Sequence, residues 1–525
     1  MKASKYLYFR LTDDFNYSKA KLFKERVNST PFPIRGITYL VGNLLGRSTW
    51  LDRTLRGIPI INLFVNFLEG NSQLIKLSDI EKSLESQNFS TLREDFDVIV
   101  IGSGPGGSIA ALRAAENGKS VLIIEEGSSY KPNSIQHHSY LQTRAQFRNQ
   151  GLEFIWGMRP ILYAEGKTLG GGSEINSGLY HRLEGQHRKS ILKSFEVEDN
   201  EWNIFEKLVE SEIHISIDQS DTEPDYGLIK GSRLAGLEVK QVPRWRNPES
   251  DTPHQSMQVT YLKKCLELGV QLTTSTRARK IICKKDLIEV ICDGIEGKCS
   301  FHSKELVVSA GPLGTPKLLK KSKLIKGKIY LNIHPMIRVV AEQDKLINDG
   351  DLFPSWQTWT RDLEMKFGYS VSTFPYLAAT MSSFGESQSL STEKLSRMAA
   401  YFSSFKLVDS QIRLLNFFGN SVPVIRWGKT DRKTASQTDQ KLKELLKIGG
   451  AENIWPRDSI APISTVHLFG SLPLSKASQI DMQGRLIKDK RIRISDSSIL
   501  PDAPWCNPQG PVMVACEFLA KKNIN

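Results

Sequence analysis

The chain has 525 residues, of which 40% are hydrophobic and 24% are charged. This is the composition of a folded protein, and it excludes a disordered chain, a collagen and a disulfide scaffold. The formal net charge of +13 is moderate for this length, and its basic clusters lack the patterns of nucleic-acid readers, so we expect no nucleic-acid partner.

Residues 1–92 differ in character from the rest of the chain and predict a basic, apolar extension before the main domain. Apolar residues recur at helical spacing, as in Leu40, Val41, Leu44 and Leu45. Such stripes pack against a parent domain or lie on a membrane surface, and both possibilities stay open. The longest apolar run, Ile58 to Leu68, is too short to cross a bilayer.

A nucleotide-binding pattern begins at Asp97. The β-branched run Asp97 to Ile101 leads into the glycines Gly102, Gly104 and Gly107, followed by a predicted helix and a second strand that ends at Glu125. Glycines in this order give a tight turn and close approach to a pyrophosphate, and the acid accepts hydrogen bonds from a ribose. The pattern predicts dinucleotide binding, and by itself it fits FAD and NAD equally.

The six cysteines form no Cys-x-x-Cys pair and no metal-type pairing with histidine. Their spacing predicts reduced thiols in a cytoplasmic protein, with peripheral membrane contact left open, and no metal site. None of the histidines accompanies a Gly-x-Ser-x-Gly nucleophile motif.

From about Asp95 to its end, the chain resembles the glucose-methanol-choline (GMC) family of FAD-dependent oxidoreductases. Three further motifs carry this resemblance in the family's order: Leu169 to Ser173 with Asn176, Gly311 to Leu319, and His467 followed forty residues later by Asn507. The second motif departs from the family pattern because Ser322-Lys323 stands where Ser-Gly is usual. In form, His467 with Asn507 is most similar to the cholesterol-oxidase-like and long-chain-alcohol-oxidising branches.

The resemblance implies an α/β fold with an FAD-binding Rossmann-like domain, a discontinuous α+β substrate domain and the N-terminal extension. We expect the FAD-binding domain to comprise residues 93–193, 249–333 and 480–525. The substrate-binding domain then comprises residues 194–248 and 334–479.

The resemblance also implies the residues of the site. His467 is expected to be the general base and Asn507 a second polar contact, whereas His334 is expected at the domain junction in a structural role. Pro511 is expected to begin the last helix, whose positive end would face the flavin. The residues expected to bind the cofactor are Gly102, Gly104, Gly107, Glu125, Leu169, Gly170, Gly171, Ser173, Asn176, Ala278, Asp496, Asn507 and Pro508.

The function implied is oxidation of a CH–OH group in an alcohol, sugar, sterol or long-chain alcohol, with hydride transfer to FAD. Two alternatives stay open: a lyase on the same fold, or a flavoprotein subunit or membrane-associated adaptor without turnover of its own. The electron acceptor (oxygen, a quinone or a cytochrome) is not readable from the sequence.

Overall fold

The computed structural model describes residues 94–523, apart from 152, 218, 220, 296, 361, 363–364, 385–389, 418–419, 458 and 476–478. The expected N-terminal extension, residues 1–92, lies outside the described residues, and so does its expected membrane contact. None of the described helices has both the length and the apolar character that crossing a membrane requires.

The described residues form a mixed α/β fold. The α-helices are α1 Pro105–Glu116, α2 Tyr140–Gln146, α3 Gly185–Phe195, α4 Asp199–Glu212, α5 Gly227–Leu234, α6 Tyr261–Glu267, α7 Gly311–Lys321, α8 Phe374–Phe384, α9 Thr392–Leu395, α10 Lys429–Ile448 and α11 Gln509–Lys522. The strands are β1 Asp95–Ile101, β2 Val121–Ile124, β3 Glu153–Ile155, β4 Ile161–Tyr163, β5 Val239–Gln241, β6 Gln271–Thr273, β7 Arg277–Cys283, β8 Ile288–Gly294, β9 Gly297–Val308, β10 Ile329–Ile333, β11 Met336–Glu342, β12 Asp351–Leu352, β13 Trp356–Trp359, β14 Met365–Tyr369, β15 Ser372–Thr373, β16 Met398–Phe405, β17 Gln411–Phe417, β18 Asn420–Arg426, β19 Asn453–Trp455, β20 Ile463–Thr465, β21 Leu468–Phe469, β22 Arg485–Leu486 and β23 Asp489–Ile494.

The first sheet has a parallel core with the strand order β23-β9-β1-β2-β6. Its central strand β1 reads Val98-Ile99-Val100-Ile101, and all four side chains are buried. A continuous apolar run is what a parallel strand needs, because helices cover both faces of such a sheet. The expected α/β fold is therefore confirmed, and the carboxyl ends of these strands open toward the site.

The second sheet is mainly antiparallel, and its two faces serve different purposes. Its main path of strands is β3-β4-β20-β11-β16-β14-β13-β5. One face, with Ile337, Phe367 and Tyr401, packs against α5 and α10. Because side chains alternate along each strand, the opposite face presents every second residue of β11, β14 and β16. That opposite face borders the cavity described below.

Two segments make contacts across the domain boundaries that the sequence predicts. Strands β3 and β4, in the expected FAD-binding domain, are part of the second sheet. Conversely, Trp202 and Phe205 of α4, in the expected substrate domain, pack their rings on Phe518 of α11. The apolar side chains of both segments, among them Ile155, Ile161 and Trp202, are buried.

A buried ion pair ties the nucleotide-binding unit to the last helix. Arg113 of α1 donates from Nε to Oε2 of Glu517 (2.8 Å) and from Nη2 to Oε1 (2.7 Å). The Tyr261 hydroxyl donates to the same carboxylate at 2.9 Å. The Glu517 side chain is only 2% exposed, so its charge depends on these donors.

Arg113→Ala should lower the free energy of unfolding by about 3 kcal/mol or more, because it leaves the buried Glu517 carboxylate without its cation. Urea unfolding of the purified protein measures the loss. Arg233→Ala is the matched control, since Arg233 forms an exposed pair with Glu223 and should change stability far less. Equal losses in the two variants would contradict this account of the α1–α11 contact.

Candidate active site

A cavity of about 800 Å³ lies between the first sheet and the second. The glycine loop before α1, the start of α7 and the start of α11 line one part, and strands β11, β14 and β16 line another. A crevice outside the carboxyl ends of parallel strands is where α/β folds bind nucleotides. The cavity therefore lies where the nucleotide-binding pattern predicts a ligand.

The glycine loop is built for close backbone approach. Gly102 has φ +99°, and a Cβ there would lie 2.1 Å from the carbonyl oxygen of Ser309. A Cβ on Gly107 would lie 2.0 Å from the carbonyl oxygen of Gly102, so α1 packs directly on the turn. At Gly104, by contrast, a Cβ would meet no protein atom within 4 Å and would project into the cavity. This arrangement fits the pyrophosphate of a dinucleotide above the start of α1.

Glu125 and Asp496 are buried carboxylates that line the cavity and hold its loops. Glu125 accepts from the backbone N–H (3.0 Å) and hydroxyl (2.7 Å) of Ser103 and from the Gly127 N–H (2.7 Å). Asp496 accepts from the Gly311 N–H at 3.0 Å and the Ser498 N–H at 2.8 Å. Burial raises the pKa of both groups against the effect of these donors. Both carboxylates therefore form part of the cavity wall.

The structure divides the other residues expected to bind the cofactor into two sets. Those in the cavity wall are Gly171, Asn176, Ala278, Asn507 and Pro508.

Four expected residues lie behind the wall. Gly107 supports α1 as described above, and Leu169 is fully buried in the core. The Gly170 N–H donates to the Ser103 hydroxyl at 3.0 Å. Ser173 donates from its hydroxyl to the Gly170 carbonyl at 2.7 Å and accepts from the Met257 N–H at 3.0 Å. These contacts shape the loop that borders the cavity.

His467 lies in the cavity wall directly beside His334. Pairing of β10 with β21 matches Ile333 with Leu468, and the His334 N–H donates to the His467 carbonyl at 3.3 Å. The two side-chain Nδ1 atoms are 3.2 Å apart. One of them must donate and the other accept, so the pair shares a single proton between these atoms. When His467 donates, its Nε2 keeps a free lone pair and is suited to accept a proton from a ligand.

His334 thus differs in position from the sequence expectation, because it lines the cavity and contacts the expected base. Its Nε2 is buried and has no hydrogen-bond partner among the described residues. The resemblance placed His334 at the domain junction in a structural role; in the structure it lies between β10 and β11, which belong to different sheets. The contact with His467 depends on strand pairing over 133 residues, which no local pattern reveals.

Electrostatics keep both histidines neutral. Burial, and then the positive charges of Lys366 and Arg338, lower the pKa of His467 to about 3. Burial beside His467 and Lys366 also lowers the pKa of His334 well below its ordinary value. A neutral imidazole accepts protons, whereas an imidazolium does not. Arg338 and Lys366 were not singled out from the sequence, although a charged residue inside each apolar strand was the available signal.

The last helix points its N-terminus at the cavity. Asn507, Pro508 and Gln509 line the wall, and α11 begins at Gln509. Pro511 is therefore the third residue of the helix rather than the first, a position that also tolerates proline because first-turn N–H groups lack helical partners. Trp505, four residues before the helix begins, adopts φ +54°, and its ring centroid lies 6.2 Å from that of His334. The positive end of α11 favours negative charge in this part of the cavity.

Comparisons with known proteins agree with this geometry. A family model described as GMC oxidoreductase matches residues 96–335, a range that stops short of His467 and Asn507. An uncharacterized GMC-type oxidoreductase of Sinorhizobium fredii is 24% identical over 83% of this chain and 96% of its own length. Long-chain-alcohol oxidase FAO3 of Arabidopsis thaliana is 25% identical over 53% of this chain but only 41% of its own length. The crystal structure of pyridoxine 4-oxidase from Mesorbium loti matches 81% of this chain and 98% of that chain, with a TM-score of 0.66 at 16% identity, which shows a shared fold.

Gly104→Val should abolish retention of the dinucleotide while leaving the fold intact, because the new side chain meets no protein atom and occupies the cavity. The ratio of flavin to protein absorbance in the purified variant measures retention, and its circular dichroism reports the fold. Gly107→Ala is the contrasting variant. It should lower thermal stability, because its Cβ would collide with the Gly102 carbonyl. A Gly104→Val protein that keeps full flavin content would contradict the assigned cradle.

Proposed function

We propose that this chain is an FAD-dependent oxidoreductase of the GMC type, and that it oxidises a small-molecule alcohol to a carbonyl compound with His467 as the general base. The match of residues 96–335 to the GMC oxidoreductase family model supports this proposal. The observation that carries this proposal is the position of His467, whose imidazole lines the same cavity as the dinucleotide cradle. When bound, FAD supplies a hydride acceptor at N5 of its ring system. The protein must then remove the hydroxyl proton and orient the hydroxyl group, and the residues described above supply groups for both.

Removal of the hydroxyl proton is the first requirement, and His467 is placed for it. In the tautomer that this role requires, His467 donates from Nδ1 to His334 Nδ1, 3.2 Å away, and keeps the lone pair on Nε2 for the substrate proton. A base fixed in this way takes a proton without first reorienting its ring. His334 is accordingly a positioning residue in this proposal, since it acts through His467.

Orientation of the hydroxyl group is the second requirement, and Asn507 supports it. The Asn507 side chain borders the same cavity, one residue before the N-cap of α11. An amide both donates and accepts hydrogen bonds, so it holds an alcohol oxygen without removing its proton. The N-terminus of α11 adds a positive potential that stabilises negative charge developing beside it.

Substrate size is a finer part of the proposal. Beside the second sheet, the cavity wall includes the aromatic side chains of Tyr376 and Phe384 of α8 and of Phe402 of β16. Such a wall suits an alcohol with an apolar body. The names of similar proteins support this reading, since they include long-chain-alcohol oxidases, pyridoxine 4-oxidase and cholesterol oxidase.

His467→Ala should keep bound FAD and lose alcohol oxidation by about 100-fold or more, the usual contribution of a general base. Stopped-flow measurement of flavin reduction under anaerobic conditions gives the rate per bound flavin. His214→Ala is the control, because His214 is exposed and lies outside the cavity wall. An unchanged reduction rate in His467→Ala would remove His467 from the chemistry.

The pH dependence provides a separate test. Because the pKa of His467 is lowered to about 3, its neutral form persists through mildly acidic solution. With an uncharged alcohol, kcat/KM should show no fall near pH 6.5 that belongs to this residue. Lys366→Met removes a positive charge beside His467, so the pKa of His467 should rise. The acid limb of the kcat/KM profile should then move to higher pH. A wild-type limb at pH 6.5 that His467 variants abolish would contradict the assigned environment.

A further inference from the structure

The cavity wall opposite the glycine loop carries two cations, Arg338 and Lys366. Lys366 of β14 pairs with Ser404 of β16, which in turn pairs with Met336 of β11. Arg338 follows Met336 by two residues and therefore shares its face of the sheet. The two cations stand on strands separated by one neighbour, with backbones about 10 Å apart, and both line the cavity.

Neither cation has an acidic partner within the described part of the chain. Lys366 is 9% exposed, and its Nζ lies 3.0 Å from Nε2 of His181. His181 is neutral there, because burial and the charge of Lys366 lower its pKa well below the ordinary value. Arg338 Nε is buried without a hydrogen-bond partner, and the guanidinium carbon lies 5.6 Å from the centroid of the Tyr376 ring.

The cations on the dinucleotide side of the cavity contrast with this pair. Arg148 lies 3.2 Å from carboxylate oxygens of both Glu126 and Glu165. Burial raises the pKa of Glu126, but Arg148, Arg277 and Lys167 outweigh burial and hold that pKa below its ordinary value. These cations therefore have carboxylates of the protein close by. No such carboxylate pairs with Arg338 or Lys366 among the described residues.

Burying a cation without a counter-charge is costly, and a ligand anion removes that cost. The donor geometry indicates which anion. A guanidinium presents parallel N–H groups that match the two oxygens of a carboxylate, and an ammonium adds a point charge beside it. The surrounding wall includes Met336 and Phe402, so a single charged group on an apolar body fits it better than a highly charged molecule.

We propose that Arg338 and Lys366 form a carboxylate-binding subsite, so that the substrate is a hydroxy acid whose carboxylate is held there while its hydroxyl group meets His467. This inference rests on the proposed function and deepens it by naming a substrate class. It assigns Arg338 and Lys366 to specificity rather than to proton transfer.

Binding without turnover tests the subsite directly. Holoenzyme is titrated with benzoate, hexanoate and dodecanoate, which lack the hydroxyl group, and with the corresponding amides, while the flavin absorbance spectrum reports binding. At least one carboxylate should bind 10-fold or more tightly than its amide, as expected of charge-assisted hydrogen bonds (about 10- to 100-fold). If every carboxylate binds no better than its amide, the subsite is refuted.

Variants assign the effect to the two cations. Arg338→Met and Lys366→Met should each weaken the tight carboxylate by about 10-fold or more relative to its amide, and Arg338→Lys should recover part of the loss. Lys345→Met is the control, because Lys345 forms an exposed pair with Asp225. Equal weakening of acid and amide in both Met variants would also refute the subsite, and flavin content and melting temperature identify a variant that has not folded.

The outcome separates this inference from the proposed function. Tight carboxylate binding without flavin reduction by any alcohol would leave the subsite standing and overturn the oxidation. Flavin reduction by uncharged alcohols, together with equal binding of acids and amides, would support the proposed oxidation and overturn the carboxylate subsite. Phosphate esters that bind tightly where carboxylates do not would refute a carboxylate site.

Discussion

Close packing of the glycine loop against the ends of two neighbouring strands is the constraint on which the site depends. A Cβ on Gly102 would collide with Ser309 at the end of β9, and one on Gly106 would lie 1.8 Å from the Ser495 carbonyl at the end of β23. Only glycine lets these strand ends converge. Their convergence brings Asp496 to the N-terminus of α7 and leaves Gly104 open to the cavity.

Strand register completes the cavity. Pairing of β10 with β21, in a separate four-stranded sheet, sets His334 beside His467. In the second sheet, the β11–β16–β14 register places Arg338 and Lys366 on the facing wall. The second sheet packs its other face on α10. A shift of one residue would turn both cations into that core, so the helix packing that stabilises the sheet also fixes the charges of the site.

The sequence predicts the local features well, because each depends on neighbours in the chain. Strand β1, the glycine loop, helix α1 and Glu125 all follow from one continuous pattern of about 30 residues. Arg338, Lys366 and the His334–His467 contact were not predicted, since they depend on pairing between strands far apart in sequence. Leu169 and Ser173 show what a matching motif does not predict. The motif marks the loop, but the direction of each side chain decides which residues of the loop reach the cavity.

The central claim is that one cavity holds a flavin and an alcohol beside His467, and the visible absorption spectrum of the purified holoenzyme tests it most directly. The spectrum is recorded without oxygen, in the dark, before and after addition of sugar, sterol, long-chain and hydroxy-acid alcohols. The account predicts flavin bands that bleach with one class of alcohol. A protein that stays colourless after FAD is added, or a bound flavin that no alcohol reduces, would contradict it.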